Sequence, residues 1–229
     1  MNIHFLDQDL AFPDPSLAHE SGLLAVGGDL SAERLVLAYQ NGIFPWYSEE
    51  DPILWFSPDP RLVLFPKELK ISKSLARKRR SGKFVTRLDT AFGEVIRRCA
   101  STKRDNQDGT WITEEMIIAY EKLHELGRAH SVETYQGEQL VGGLYGVSLG
   151  KTFFGESMFH EVSDASKIAL WTLVERLEAW DFDLIDCQMN TPHLASLGAK
   201  EMARSEFLQR IKESVAKEPA PGNWSLIQD

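Results

Sequence analysis

Ser131-Val-Glu-Thr-Tyr-Gln136, Gln139-Leu-Val-Gly-Gly-Leu-Tyr-Gly-Val-Ser148 and Lys151-Thr-Phe-Phe-Gly-Glu-Ser-Met-Phe159 are three strand-like runs in succession. The short links Gln-Gly-Glu and Leu-Gly-Lys between them suit hairpins. A helical period covers about 164–180, with Ile168, Trp171, Leu173 and Leu177 expected inward, and a compact strand covers Phe182 to Gln188. Upstream, Asp89 is expected to cap a helix carrying Phe92, Val95, Ile96 and Cys99, and Thr113 one carrying Met116, Ile117, Tyr120 and Leu123 that ends at Gly127. Residues 101–109 read as a loop, and two more helices are expected near 192–197 and 204–216. Helix, helix, three antiparallel strands, helix, strand, helix is an α+β layered sheet. The order also matches a GNAT-type acyltransferase layout, and topology alone carries no function.

The first third differs in texture. Phe12-Pro-Asp-Pro15, Gly42-Ile-Phe-Pro-Trp46 and Trp55-Phe-Ser-Pro-Asp-Pro-Arg61 read as turns and irregular backbone. One helix is expected between them, capped by Ser31, with Leu35, Ala38 and Tyr39 on one face and Gly42 closing it. The chain therefore divides into a small N-terminal α+β domain, 1–63, and a larger domain, 64–229.

The chain has 229 residues, 43% of them hydrophobic and 26% charged, which excludes a disordered polymer. No apolar run reaches bilayer length and no signal-peptide pattern opens the chain, so no membrane role is expected. Two cysteines, Cys99 and Cys187, form no disulfide framework, and the reading is a cytoplasmic protein. The histidines show no zinc spacing.

Residues 67–87 hold nine bases against one acid, a local +8 on a chain of net charge −9. The remaining residues then carry −17. A basic block on an acidic protein is a footprint for a polyanion, or else a solvated helix face or a targeting patch.

Three features bear on chemistry. In Leu184-Ile-Asp-Cys-Gln188, alternation turns Asp186 and Gln188 to one face and Ile185 and Cys187 to the other. A carboxylate and an amide on a core strand either tie down a loop or line a site. A Cys187 nucleophile with His193 is disfavoured, because free cysteines on core strands behave as small hydrophobes. Glu156 stands among aromatic and apolar residues, where it either meets a cationic substrate or forms a buried salt bridge, for example to Lys167. Trp46, Trp55 and Trp111 lie in or beside Gly/Pro-rich loops, either as stacking platforms for bases or as core plugs. Gln139-Leu-Val-Gly-Gly-Leu144 lacks the last small residue of a CoA pyrophosphate loop, and no Walker loop is present.

The pieces Gly22-Leu-Leu-Ala-Val-Gly-Gly-Asp-Leu-Ser31, Ala38 to Trp46, Trp55 to Arg61, Gly109-Thr-Trp-Ile112, Gly155-Glu-Ser-Met-Phe159 and Leu184 to Ala199 together resemble the bacterial leucyl/phenylalanyl-tRNA–protein transferases over about 11–200. The resemblance implies transfer of Leu, Phe or Met from aminoacyl-tRNA to the α-amine of proteins beginning with Arg or Lys, marking them for degradation. It implies no CoA, ATP or metal, no cofactor at all, and a GNAT-like second domain. By resemblance, Asp186 and Gln188 act on the attacking amine and Glu156 lies near it. Trp46 and Trp111 hold the terminal adenosine. Leu144, Phe153, Met158, Leu173 and Ile185 form the pocket for the transferred side chain, which by alternation requires a bulge or a pocket behind the strand at Ile185. Lys73, Arg77, Arg80 and Lys83 are the expected tRNA contacts, on a protein expected to be a monomer. The rivals are an acetyl-CoA N-acetyltransferase and a non-catalytic RNA-binding protein.

Overall fold

The computed structural model describes residues 3–102, 110–220 and 222–226. Most of the loop expected at 101–109 lies outside the described residues. The N-terminal region is more regular than its composition suggests. Strands β1 (His4–Leu6), β2 (Leu23–Gly27), β3 (Phe44–Pro45) and β4 (Leu54–Phe56) form a sheet of order β1-β2-β4-β3. These strands are two to five residues long, too short for a period to show in sequence. Helix α1 (Ala32–Gln40) starts where Ser31 accepts a hydrogen bond from the Arg34 N–H, and it buries Leu35, Ala38 and Tyr39 as expected. Trp55 is fully buried and donates to the Gly27 carbonyl at 2.9 Å, so this tryptophan is a core plug.

The second sheet has seven strands: β5 (Arg61–Leu64), β6 (Val85–Leu88), β7 (Ala129–Gln136), β8 (Gln139–Leu149), β9 (Thr152–His160), β10 (Leu184–Gln188) and β11 (Lys200–Met202). Their order is β11-β5-β10-β9-β8-β7-β6, and only the β9–β10 pair is parallel. β5 begins at Arg61, so this sheet takes in residues 61–63 of the segment assigned by sequence to the N-terminal unit. The expected run of helix, helix, three antiparallel strands, helix, strand and helix is present, and with it the α+β, GNAT-like layout. Between the strands lie α2 (Lys73–Arg80), α3 (Phe92–Ser101), α4 (Glu114–Glu125) and α5 (Ala165–Ala179); α6 (Pro192–Ser196) and α7 (Arg204–Ser214) follow β10. No helix among the described residues is long and apolar enough to cross a membrane.

Alternation along the strands gives the sheet two apolar faces. Tyr145, Val147, Phe154 and Leu184 pack with α1, α3 and α4. Val132, Leu144, Phe153 and Ile185 pack with α5. The first cluster also holds Leu35, Tyr39, Phe44 and Trp55, so one continuous core joins both sheets. Trp171, expected inward, is only half-buried, under the Arg79 guanidinium at 4.3 Å. Asp89 does not cap α3. It adopts φ 55° and accepts hydrogen bonds from the Ser131 and Trp224 backbone N–H groups, with His130 Nδ1 at 2.7 Å.

Bulges interrupt this regularity, two of them in β9 and β10. Tyr145 pairs with Ser157 and Gly146 with Gly155, leaving Glu156 as an extra residue in β9. Asp186 pairs with Val63 and Gln188 with Leu62, leaving Cys187 as an extra residue in β10, and Gln188 takes φ 61°. Bulges re-aim side chains. A Cβ at Gly146 would press on the Phe154 carbonyl oxygen and lie 2.6 Å from the Phe153 ring. Gly146→Ala is therefore expected to destabilise the fold by about 1–3 kcal/mol through overpacking. A urea midpoint equal to that of the natural chain would contradict the close approach.

Candidate active site

Beyond Asp186 the parallel pair β9–β10 stops, and a cavity of about 400 Å³ opens between the strand ends. Leu144, Phe153, Met158, Leu173 and Ile185 line its apolar part, with Leu170 and Phe44. Trp46 and Trp111, both half-buried, also line it. Glu156 and Gln188 supply polar groups, and His193 belongs to the lining near the start of α6.

The cavity passes between the ends of β9 and β10 and takes lining from both faces of the sheet, Ile185 and Cys187 among it. Gln188, after the bulge, also lines it, and its Nε2 donates to Glu156 Oε1 at 2.8 Å. Asp186 does not line the cavity. It has no exposed surface, and Arg61 Nε and Nη2 hold its two carboxylate oxygens at 2.8 and 2.6 Å. The Arg61 guanidinium is stacked between the Phe44 and Phe207 rings, 4.7 Å from each centroid. Asp186 Oδ1 also accepts the Gln188 backbone N–H at 2.9 Å. Asp186 thus touches Gln188 through the main chain and fixes the bulge.

Glu156 does not meet Lys167, which pairs with Asp164 instead. Its partners are two tyrosines and the Gln188 amide. Tyr39 Oη donates to Glu156 Oε1 at 2.7 Å, and Tyr120 Oη lies 3.1 Å from Oε2. Burial, then the nearby Asp186 charge, push the Glu156 carboxyl up to about 7, against the lowering effect of these hydrogen bonds. Burial and the Asp186 charge raise the Cys187 thiol, and burial with Lys167 and His160 nearby lowers His193. A thiol held protonated is a poor nucleophile, so Cys187 acts as cavity wall.

Five of the nine bases of the basic block lie in α2. Its Leu75 is buried, Lys78 Nζ reaches Asp164 at 2.7 Å, and Arg79 makes a two-point pair with Glu175 at 2.8 and 2.6 Å. Lys73, Arg77, Arg80 and Lys83 are exposed. The positive charge is thus divided between a docking face and a solvent face.

Sequence reasoning missed Arg61, Tyr39 and Tyr120 as parts of this site. Arg61 had a signal, since an arginine opening an apolar run, Arg61-Leu-Val-Leu64, needs a buried partner. Tyr39 and Tyr120 sit at ordinary inward positions of their helices, and only the packing of α1 against α4 makes them neighbours of Glu156.

The sheet order, with a cavity at the β9–β10 ends that has a carboxylate and an amide at its polar part, makes a GNAT-like layout with a built pocket. The family described as leucyl/phenylalanyl-tRNA protein transferase matches residues 63–212, and its N-terminal domain matches 28–59. A leucyl/phenylalanyl-tRNA–protein transferase of Anaeromyxobacter sp. (strain Fw109-5) is 57% identical over 226 residues, 99% of this chain and 96% of its own length. One from Nitrosospira multiformis is 59% identical over 215 residues, 93% and 92% of the two chains. The chain belongs to the leucyl/phenylalanyl-tRNA protein transferase family. An aminoglycoside acetyltransferase from an uncultured soil sample superposes over 64% of this chain and 98% of its own, at a TM-score of 0.38 and 13% identity.

Removing one partner of a buried ion pair leaves a desolvated charge, at a cost of about 3–5 kcal/mol. Arg61→Ala and Asp186→Asn are both expected to lower the unfolding free energy by that order, read from urea denaturation. A loss below about 1 kcal/mol in both would refute the structural weight given to the pair.

Proposed function

We propose that this transferase moves Leu, Phe or Met from aminoacyl-tRNA to the α-amine of proteins that begin with Arg or Lys. On this reading it works in the cytoplasm as a monomer, without a cofactor, and marks its acceptors for degradation. The observation that carries the proposal is the meeting of Glu156 and Gln188 beside a cavity whose remaining wall is mostly apolar. An aliphatic or aromatic side chain suits that wall, and a cationic N-terminus suits that carboxylate.

The chemistry asks little of the protein. An aminoacyl ester is already activated, so no further energy source is required. The attacking α-amine has an ordinary pKa of about 7.7–8.0, so a useful fraction is neutral near neutral pH. The site has to hold amine and ester together, accept a proton and stabilise the tetrahedral oxyanion. In the proposed assignment Gln188 and Glu156 orient the amine. Asp186 acts on it only through Gln188, as a positioning residue, with Arg61 as its counter-charge. Trp46 and Trp111 stack on the terminal adenosine. Leu144, Phe153, Met158, Leu173 and Ile185 take the transferred side chain, choosing by size and shape, and one methylene in such a pocket is worth about 1–3 kcal/mol. Lys73, Arg77, Arg80 and Lys83 meet acceptor-stem phosphates and carry no base specificity.

The test is direct. The purified protein is mixed with Leu- or Phe-charged tRNA and a peptide beginning with Arg, and the peptide is weighed. Gain of one Leu or Phe residue at the N-terminus is expected, and acetyl-CoA in place of tRNA should give no product. Acetylation of the peptide, or tRNA binding with no transfer to any peptide, would replace this reading by one of its rivals.

The solvent face of α2 gives a second test. Arg77→Glu with Arg80→Glu is expected to raise the KM for charged tRNA and to flatten its dependence on salt, because fewer counterions are released on binding. An unchanged KM at moderate salt would remove α2 from the tRNA path.

A further inference from the structure

Three side chains from three elements close a ring of oxygens at the polar part of the cavity. Tyr39 Oη from α1 lies 2.7 Å from Glu156 Oε1, and Tyr120 Oη from α4 lies 3.1 Å from Glu156 Oε2. The two phenol oxygens are also in hydrogen-bond contact with each other. Both tyrosines are fully buried and Glu156 is 8% exposed, so water cannot relieve a bad contact.

Each oxygen–oxygen contact at such distances needs one hydrogen between its atoms. Without it, two sets of lone pairs face each other. Three contacts therefore need three protons, and two phenols supply two. Neither phenol is a phenolate, since burial pushes both well above their ordinary range. The Gln188 amide donates to Oε1, but its hydrogen lies outside the ring. The third proton has to come from the carboxyl group.

We infer that in the empty site Glu156 is a carboxylic acid whose proton closes a ring with Tyr39 and Tyr120, and that this ring is the acid–base group of the transfer reaction. Because Oε1 already accepts from Gln188, the proton sits on Oε2. Glu156 Oε2–H then donates to Tyr120, Tyr120 to Tyr39, and Tyr39 to Glu156 Oε1. Tyr39 and Tyr120 are positioning residues.

The surroundings agree. Facing Glu156 from β10 are Gln188 and Asp186, and the Asp186 charge is balanced by Arg61 from β5. From β8, Tyr145 lies against Tyr120 at 5.7 Å between ring centroids. No cation reaches Glu156 among the described residues, and burial with the Asp186 charge favours the neutral form.

The reaction, which rests on the proposed function, then balances as follows. An arriving α-ammonium exchanges for the carboxyl proton, which leaves to solvent, and a further proton leaves the ammonium to give the amine. The amine nitrogen bonds to the ester carbonyl carbon, and its surplus proton passes to Glu156 Oε2, which re-closes the ring. The ester carbon–oxygen bond breaks, and the leaving ribose oxygen takes that proton from Glu156. The carboxylate is left as it was before the attack.

The experiment needs no substrate. The acid-minus-base infrared difference spectrum of the natural protein is expected to show the carbonyl stretch of a protonated carboxyl titrating near neutral pH, absent in Glu156→Gln. Native-state proton binding also fixes the sign of a stability effect. A folded carboxyl raised to about 7 lends stability that is complete below its unfolded value and lost as pH rises through about 7. Urea stability should accordingly fall between about pH 5 and pH 8, by the slope of one proton. Glu156→Gln should abolish that slope, because its amide supplies the missing hydrogen to Tyr120 at any pH. Tyr39→Phe and Tyr120→Phe each remove the need for a third proton, so each should move the infrared midpoint to lower pH.

A natural protein with no protonated-carboxyl band at pH 6 would overturn the inference, and so would a midpoint that rises in both Phe variants, as loss of a simple donor to a carboxylate would produce. These readings hold whether or not the chain transfers amino acids. Failure of the ring and failure of the proposed function are therefore seen separately.

Discussion

Arg61 and Asp186 form an ion pair with neither side chain in contact with water, and much of the active-site geometry hangs on it. Taking both charges out of solvent is expensive, and the two-point contact with aromatic rings on either side of the guanidinium offsets that cost only as a unit. The pair therefore works as a geometric lock. It ties β5 to β10 at the point where the register slips, and the Asp186 carboxylate also holds the backbone of Gln188 in its left-handed conformation. The Gln188 side chain is thereby delivered to Glu156.

Two bulges in adjacent strands, one at Glu156 and one at Cys187, turn a regular sheet into a site. At the β10 bulge Ile185, Cys187 and Gln188 all line the cavity, while Asp186 stays buried beside Arg61. Glycines make room for this. Gly146 lies opposite the β9 bulge with no space for a side chain, and Gly142 lets the start of α5 approach β8 closely. The same helix covers the apolar half of the cavity through Leu170 and Leu173, so packing of the core and shape of the pocket are one problem.

Charge is separated in an equally economical way. Lys78 and Arg79 are spent on α5 and the turn before it, and that anchorage leaves Lys73, Arg77 and Arg80 facing solvent on a short, docked helix, with Lys83 exposed just beyond it. A rigid basic face on an acidic protein presents a polyanion with one place to settle. The interior of the site keeps its own charge low, through a neutralised Asp186 and a carboxyl that burial drives toward its acid form.

By itself the sequence determined the elements whose periods are long. The hairpin strands of 129–160, the helices led by Ser31 and Thr113, and the α5 helix all follow from local apolar spacing and capping chemistry, which neighbours in the chain settle among themselves. It also brought nine of its ten expected substrate-site residues, all but Asp186, to one cavity, because motif resemblance carries spatial information that periodicity lacks. Tertiary structure alone decided the strands of two to five residues near the N-terminus, the pairing of Asp186 with Arg61, and the partners of Glu156. Short strands exist only through pairing. A bulge shifts alternation by one residue without leaving a mark in composition. Tyr39, Tyr120 and Glu156 stand far apart in the chain and meet only because α1, α4 and β9 converge on one core. Their proton count is a property of that meeting, and no single stretch of sequence contains it.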